Sequence, residues 1–188
     1  MDNRSNILHH ALALFAARGY EAIGVQEVVD AAGITKPTLY HYFGNKRGLL
    51  DMLVRERQAP LLARLEPAAR YGGDLTHALR QVAGAYFEFA RHEPVFCRMQ
   101  LAMWFGPPDN DAFQIVAAAN ARQQQLLEDL FQAAAADHGN MRGRHRLYAA
   151  MFLGVINTHI ALFLNSHIQL DETALQQAVQ HFSYGIYS

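Results

Sequence analysis

The chain has 188 residues, 51% of them hydrophobic, with 16 basic and 17 acidic side chains and a formal charge of −1. That apolar content excludes a disordered chain, and a single cysteine, Cys97, excludes an intramolecular disulfide framework and fits a reducing cytoplasm. The polar opening Met1-Asp2-Asn3-Arg4-Ser5-Asn6 is unlike a secretory signal, and near-neutral charge counts against nucleic acid or an anionic membrane as partner, because both select basic surfaces.

Apolar residues recur at three and four throughout, with no sustained alternation, so the pattern predicts an all-α chain. The first helix is expected from Ser5, whose hydroxyl caps it, with Ile7, Leu8, Ala11, Leu12, Leu14 and Phe15 turned to a core and Gly19 as its stop. A second, short helix carries Val25, Val28, Val29 and Ala32 and ends at Gly33; a third starts after Thr35 and stops at Phe43, before Gly44-Asn45. Two short helices joined across Ala32-Gly33-Ile34 make a helix-turn-helix candidate, with the glycine allowing the tight reversal. Leu49, Leu50, Leu53 and Val54 open a connecting helix from Lys46, which Pro60 is expected to kink or restart.

Tyr71-Gly72-Gly73 is the clearest later break, and Asp74 follows it as the cap of a helix running to His92. Pro94 starts a segment to Phe105, closed by Gly106-Pro107-Pro108; two long helices then span 109–137 and 143–165, and Asp171 begins the last. The stretch from Leu147 to Leu164 holds Asn157, Thr158 and His159 at its centre. It falls short of the roughly 18 uninterrupted apolar residues of a membrane span, so no membrane contact is expected. A helix apolar nearly all round is buried on several sides, which in so small a chain predicts packing against a second subunit.

On a wheel of about 100° per residue, Leu39 and Phe43 place the core side of the third helix. Pro37 and His41 then lie opposite, Thr38 beside them, Tyr40 and Tyr42 on the flanks and Lys36 in the first turn. A small hydroxyl, a proline ring and an imidazole fit base edges in the major groove, while tyrosines, Lys36 and Lys46 at helix starts suit phosphates.

The run from Gly33 to Arg47, Gly-Ile-Thr-Lys-Pro-Thr-Leu-Tyr-His-Tyr-Phe-Gly-Asn-Lys-Arg, resembles the recognition segment of the tetracycline-repressor (TetR) family of bacterial transcription regulators. The likeness extends back through Ala11, Phe15 and Gly19-Tyr20 and forward to Leu49-Leu50, about a quarter of the chain. By resemblance, Lys36, Pro37, Thr38, Tyr40, His41, Tyr42 and Lys46 match the family's DNA-contact positions, and Gln26 matches one reaching the duplex from the second helix. Gly24 departs from the pattern, standing where the family commonly has a capping threonine or serine. The resemblance implies residues 1–48 as a three-helix DNA-binding domain and 49–188 as a helical effector-binding and dimerisation domain. It also implies a cytoplasmic homodimer on near-palindromic double-stranded operator DNA, acting as a repressor released by an apolar or amphipathic small molecule; the alternatives are an activator or ligand-independent regulator, or an all-helical ligand-binding or enzymatic protein that has lost DNA binding.

Large adaptable apolar side chains are candidates to line an effector pocket: Tyr86, Met99, Met103, Trp104, Phe113, Tyr148 and Phe152. Trp104 leads them, since a buried indole N–H requires a partner. His9-His10 point about 100° apart on a helix and no pair has metal-motif spacing with a carboxylate, so neither metal nor cofactor is expected. No phosphate loop or nucleophile elbow suggests an enzyme. Between Asp30 and Asp51 the chain carries Lys36, Lys46 and Arg47 and no acid, a local +3 that leaves −4 elsewhere; the neutral total conceals a basic segment.

Overall fold

Asp2 begins the described part of the chain, which extends to residue 185 in a computed structural model. Among the described residues the regular structure is helical: α1 (Asn3–Arg18), α2 (Val25–Ala32), α3 (Lys36–Phe43), α4 (Lys46–Ala68), α5 (Leu75–His92), α6 (Pro94–Trp104), α7 (Asp111–Ala134), α8 (His145–Leu164) and α9 (Glu172–Tyr184), with a 3-10 turn at Gly139–Met141. Caps explain most of the starts. The Asp74 carboxylate accepts from His77 N at 2.9 Å to begin α5, and Asp171 accepts from Ala174 N at 2.9 Å to begin α9. At the first helix the structure corrects the expectation: the cap is Asp2, whose Oδ1 accepts from Ser5 N at 2.7 Å, and Ser5 sits inside the helix. A carboxylate three residues upstream satisfies an orphan donor more strongly than a hydroxyl and favours the helix dipole.

Two compact units divide the residues. The first joins the chain up to Ala59 with Val95–Ala119; the second joins Pro60–Pro94 with the chain from Asn120 onward. Inside the first, α1, α2 and α3 pack together around Ile7, Phe15, Ile23, Val28, Leu39, Leu49, Leu50 and Leu53, all nearly or fully sealed from solvent. Phe15 meets Tyr20 edge to face with ring centroids 5.2 Å apart, tying the end of α1 to the turn that follows. Asn6 donates to Ala32 O at 2.7 Å, fixing α1 against the last turn of α2.

The division at Pro60 falls where proline removes a backbone donor, yet α4 continues through it as a helix to Ala68. Proline is therefore tolerated here, with neither a stop nor a restart. In the second unit, α5, α8 and α9 pack around Phe87, Phe131, Phe152, Ile156 and Ala178. Phe152 and Phe182 lie 4.8 Å apart and Phe131 and Phe182 5.8 Å. Only 22% of the most apolar stretch of α8 is buried within the chain, and its mean hydropathy is 1.8. By length and composition alone it is long and apolar enough to cross a membrane; the polar centre expected to disqualify it interrupts the run without lowering the average that far. Leu147, Met151 and Leu162 are exposed along it.

Candidate functional site

The exposed surface of α3 is set by what its other side must bury. Leu39 and Phe43 are taken into the core, which turns Lys36, Pro37, Tyr40, His41 and Tyr42 outward, with Thr38 half-buried. Pro37 in the first turn has no N–H to leave unpaired. The Thr38 and Thr35 hydroxyls share a hydrogen bond of 3.0 Å, so the start of the helix holds a hydroxyl pair at its solvent edge. His41 and Tyr42 stand edge to face at 5.3 Å. The turn between α2 and α3 depends on Gly33, whose φ of 64° and ψ of 35° lie in the left-handed region that costs little only without a Cβ.

Gln26 is exposed on α2, and its amide donates to Asp30 Oδ1 at 2.7 Å one turn on. Gly24, the departure from the family pattern, has no side-chain cap to offer; Glu27 instead accepts from Gly24 N at 3.0 Å. That hydrogen bond, and then the Arg18 guanidinium that also pairs with Glu27, holds this carboxyl below its usual range.

The joint between α3 and α4 is tight. Gly44 carries φ 72°, Asn45 N donates to Phe43 O at 2.8 Å, and Asn45 Oδ1 accepts from Gly48 N at 2.8 Å. This asparagine cap starts α4 and places Lys46 and Arg47 in its first turn, where free backbone N–H groups favour an anion.

Lys46 Nζ lies over the Tyr20 ring, 4.0 Å from its centroid, a cation–π contact that orients the ammonium. Burial lowers the Lys46 pKa, opposed by the negative charges of Glu21, Asp111 and Glu27. Burial, with Asp111 and Glu21, pushes the Tyr20 hydroxyl up to about 12, Arg47 acting the other way. Arg47 is itself engaged: Nη1 pairs with Asp111 Oδ1, and Nη1 and Nη2 both donate to Gln114 Oε1 at 3.4 Å. The pair is about half exposed on both sides, so its contribution to stability is about 0–1 kcal/mol.

The local +3 therefore carries less charge than its segment suggests. Three acids from outside it, Glu21, Glu27 and Asp111, face Lys46, and one of them holds Arg47. Sequence spacing did not show Asp111, because 64 residues separate it from Arg47. Tyr20 was visible as part of the Gly-Tyr pair, though its role beneath Lys46 was not.

The seven effector candidates fall into two sets. In the first unit Met99 and Met103 are buried, and Trp104 stacks on Phe113 with centroids 5.6 Å apart. Trp104 is 36% exposed, so the buried indole that recommended it is absent. In the second unit the Phe131 ring lies between Tyr148, at 5.8 Å, and Phe152, at 6.5 Å. Tyr86 donates its hydroxyl to Gln123 Oε1 at 2.6 Å, and both are buried. Burial raises the Tyr86 pKa strongly, so the phenol stays protonated and a donor. Gln123 was not anticipated: it opens the run Gln123-Gln124-Gln125, in which residue type alone does not single out the one that is buried. A cleft of about 380 Å³ in the second unit is lined by Arg64, Pro67, Arg70, Asp74, His77 and Gln81, among others, and by none of the seven.

Residues 7–53 match the family described as bacterial regulatory proteins, tetR family. The HTH-type transcriptional activator FasR of Mycolicibacterium smegmatis is 25% identical over 187 residues, 98% of this chain and 82% of that protein. The HTH-type transcriptional repressor KstR2 of Mycobacterium tuberculosis is 34% identical over 89 residues, 47% of this chain and 44% of that protein. Among solved structures, the transcriptional regulator FadR from Bacillus subtilis in complex with stearoyl-CoA superimposes with a TM-score of 0.80 at 19% identity, covering 97% of this chain and 99% of that one.

Proposed function

Because the chain belongs to the TetR family and is a DNA-binding transcriptional regulator, we propose that its α3 surface reads a near-palindromic operator as part of a homodimer and that a small molecule releases it. The observation carrying this reading is the outward set Lys36, Pro37, Tyr40, His41 and Tyr42, with Thr38 at its edge, on a helix whose other face is sealed. His41, Thr38 and Pro37 face the bases; Tyr40, Tyr42, Lys36 and Lys46 hold phosphates; Gln26 joins them once it leaves Asp30. Residues 1–48 form the reading module and 49–188 serve effector binding and dimerisation. The setting is cytoplasmic, with no catalytic step.

Tyr40→Ala and Lys46→Ala are expected to weaken binding to the protein's own upstream region, each removing a phosphate contact, with helix content and melting temperature retained. Fluorescence anisotropy against operator and random DNA at physiological salt checks this. Wild-type protein showing no preference between the two would sink the operator reading.

The effector is an apolar or amphipathic small molecule, and the candidates to receive it are two sets, Met99, Met103, Trp104 and Phe113 in the first unit and Tyr86, Tyr148 and Phe152 in the second. Two observations support that class: the run of aromatic and methionine side chains, and a neighbour of the same fold that holds stearoyl-CoA. A true effector at about 100 times its dissociation constant adds roughly 2.7 kcal/mol. A rise in melting temperature across a graded series of acyl thioesters and free acids is the expected result; a flat series removes the acyl class. Repression is the favoured sign, as for the KstR2 relative, while the activator name of FasR supports activation as the second reading. Transcription in vitro with and without protein separates them.

A further inference from the structure

Two cations stand side by side at the start of α4, and the fold treats them differently. Lys46 rests on an aromatic face, and its compact ammonium keeps its donors. The Arg47 guanidinium has three donor contacts consumed by Asp111 and Gln114, both in the first turn of α7. An arginine fork is the better bidentate partner for a phosphate, so a basic surface built only for affinity would leave it open.

We infer that Asp111 sets the strength of sequence-independent binding: by holding Arg47 in an ion pair it withholds a phosphate contact from every DNA alike and leaves discrimination to α3. The inference rests on the DNA-reading surface proposed above. Backbone contacts add affinity for every sequence equally. Withholding one per protomer therefore weakens binding to operator and to random DNA by the same factor while removing nothing that reads bases. Gln114 adds a neutral acceptor to the same guanidinium, so the hold is directional as well as electrostatic.

The test is a salt titration of binding to operator and to random DNA for wild type, Asp111→Asn, Arg47→Gln and the double variant. Asp111→Asn is expected to steepen the dependence of log affinity on log salt by about 0.9 per protomer, or about 1.8 per dimer. The ratio of its affinity to that of wild type then grows about twelvefold between 200 and 50 mM salt, on both DNAs, and discrimination is not improved. Arg47→Gln alone leaves the slope unchanged, because that cation is already occupied, and the double variant returns to the wild-type slope.

An unchanged slope for Asp111→Asn overturns the inference. So does a shallower slope for Arg47→Gln alone, which would place that side chain on DNA already, or a double variant as steep as Asp111→Asn. Loss of operator affinity in Asp111→Asn at constant slope would make the pair a strut, and overturns it too. If wild-type protein does not discriminate operator from random DNA, the reading surface fails; if it does and the variants do not move, only the role of Asp111 fails.

Discussion

Replacing Gly48 by alanine will separate the recognition helix from its anchor and remove operator binding. A Cβ built on Gly48 lies 2.1 Å from the Phe43 carbonyl oxygen and 3.7 Å from Asn45 Oδ1. The first is backbone, so no rotamer change relieves the clash. Phe43 closes α3 with its side chain in the core, and its carbonyl already accepts from Asn45 N. Any shift of that carbonyl moves the end of α3, the asparagine cap and the first turn of α4 together. Overpacking of this kind costs about 1–3 kcal/mol; Lys46 and the α3 surface, which must meet the duplex in fixed register, lose their mutual geometry at the same time. Gly48→Ala is expected to melt lower than wild type and to lose more than tenfold in operator affinity. Gly106→Ala is a useful companion, since its added Cβ would meet Met103 O at 3.2 Å far from α3 in sequence. If Gly48→Ala keeps both its melting temperature and its operator affinity, the joint is not rigid.

How far such details were visible in the chain itself depended on their range. The helix-turn-helix was legible because its signals are local: Gly33 and Gly44 adopt positive φ where the pattern demanded reversals, and Leu39 and Phe43 are buried at the spacing that placed the outward residues. Asp74 and Asp171 cap where they were expected. Other features depended on what meets what across the chain. Asp2 displaced Ser5 as the first cap because both side chains suit that role and only geometry chooses between them. Pro60 stayed within α4 because a missing N–H can be tolerated where packing maintains the helix. Asp111 reached Arg47 from a distant helix, so a charge count over a sequence window could not register it. The effector candidates were chosen by residue type, which cannot tell the exposed stack of Trp104 on Phe113 from the buried Tyr86–Gln123 pair.

Placing a charge at Met151 is expected to leave a folded monomer that no longer holds its operator. Leu147, Met151, Gly154, Thr158 and Leu162 are all exposed on α8, and at about 100° per residue they fall within about 80° of arc. Leu147 is 58% exposed and Met151 51%, so the face is apolar and uncovered within the chain. Gly154 sharpens the inference. Glycine in a helix interior costs about 1 kcal/mol relative to alanine, and among the described residues nothing beyond its own helical turn and chain neighbours lies within 4 Å of where its Cβ would stand. Open space there gives no internal reason for the missing side chain, whereas a second helix crossing at that point would use the close approach. Thr158 donates its hydroxyl to Gly154 O at 2.9 Å, so its polar atom is satisfied within the helix. A two-fold axis through this stripe would set α8 against its own copy, an isologous contact that closes at two subunits. Met151→Glu then buries a carboxylate without a partner, a penalty of about 3–5 kcal/mol, equivalent to a rise in the dimer dissociation constant of roughly 10²–10³-fold or more. Operator affinity falls with it, because paired recognition helices are needed to span successive major grooves. Sedimentation velocity and anisotropy on the same samples check both halves, with Met151→Leu expected to remain dimeric. A wild-type protein that is monomeric in solution and floats with lipid vesicles would assign the face to a membrane instead; a dimer unaffected by Met151→Glu would move the subunit contact to another surface.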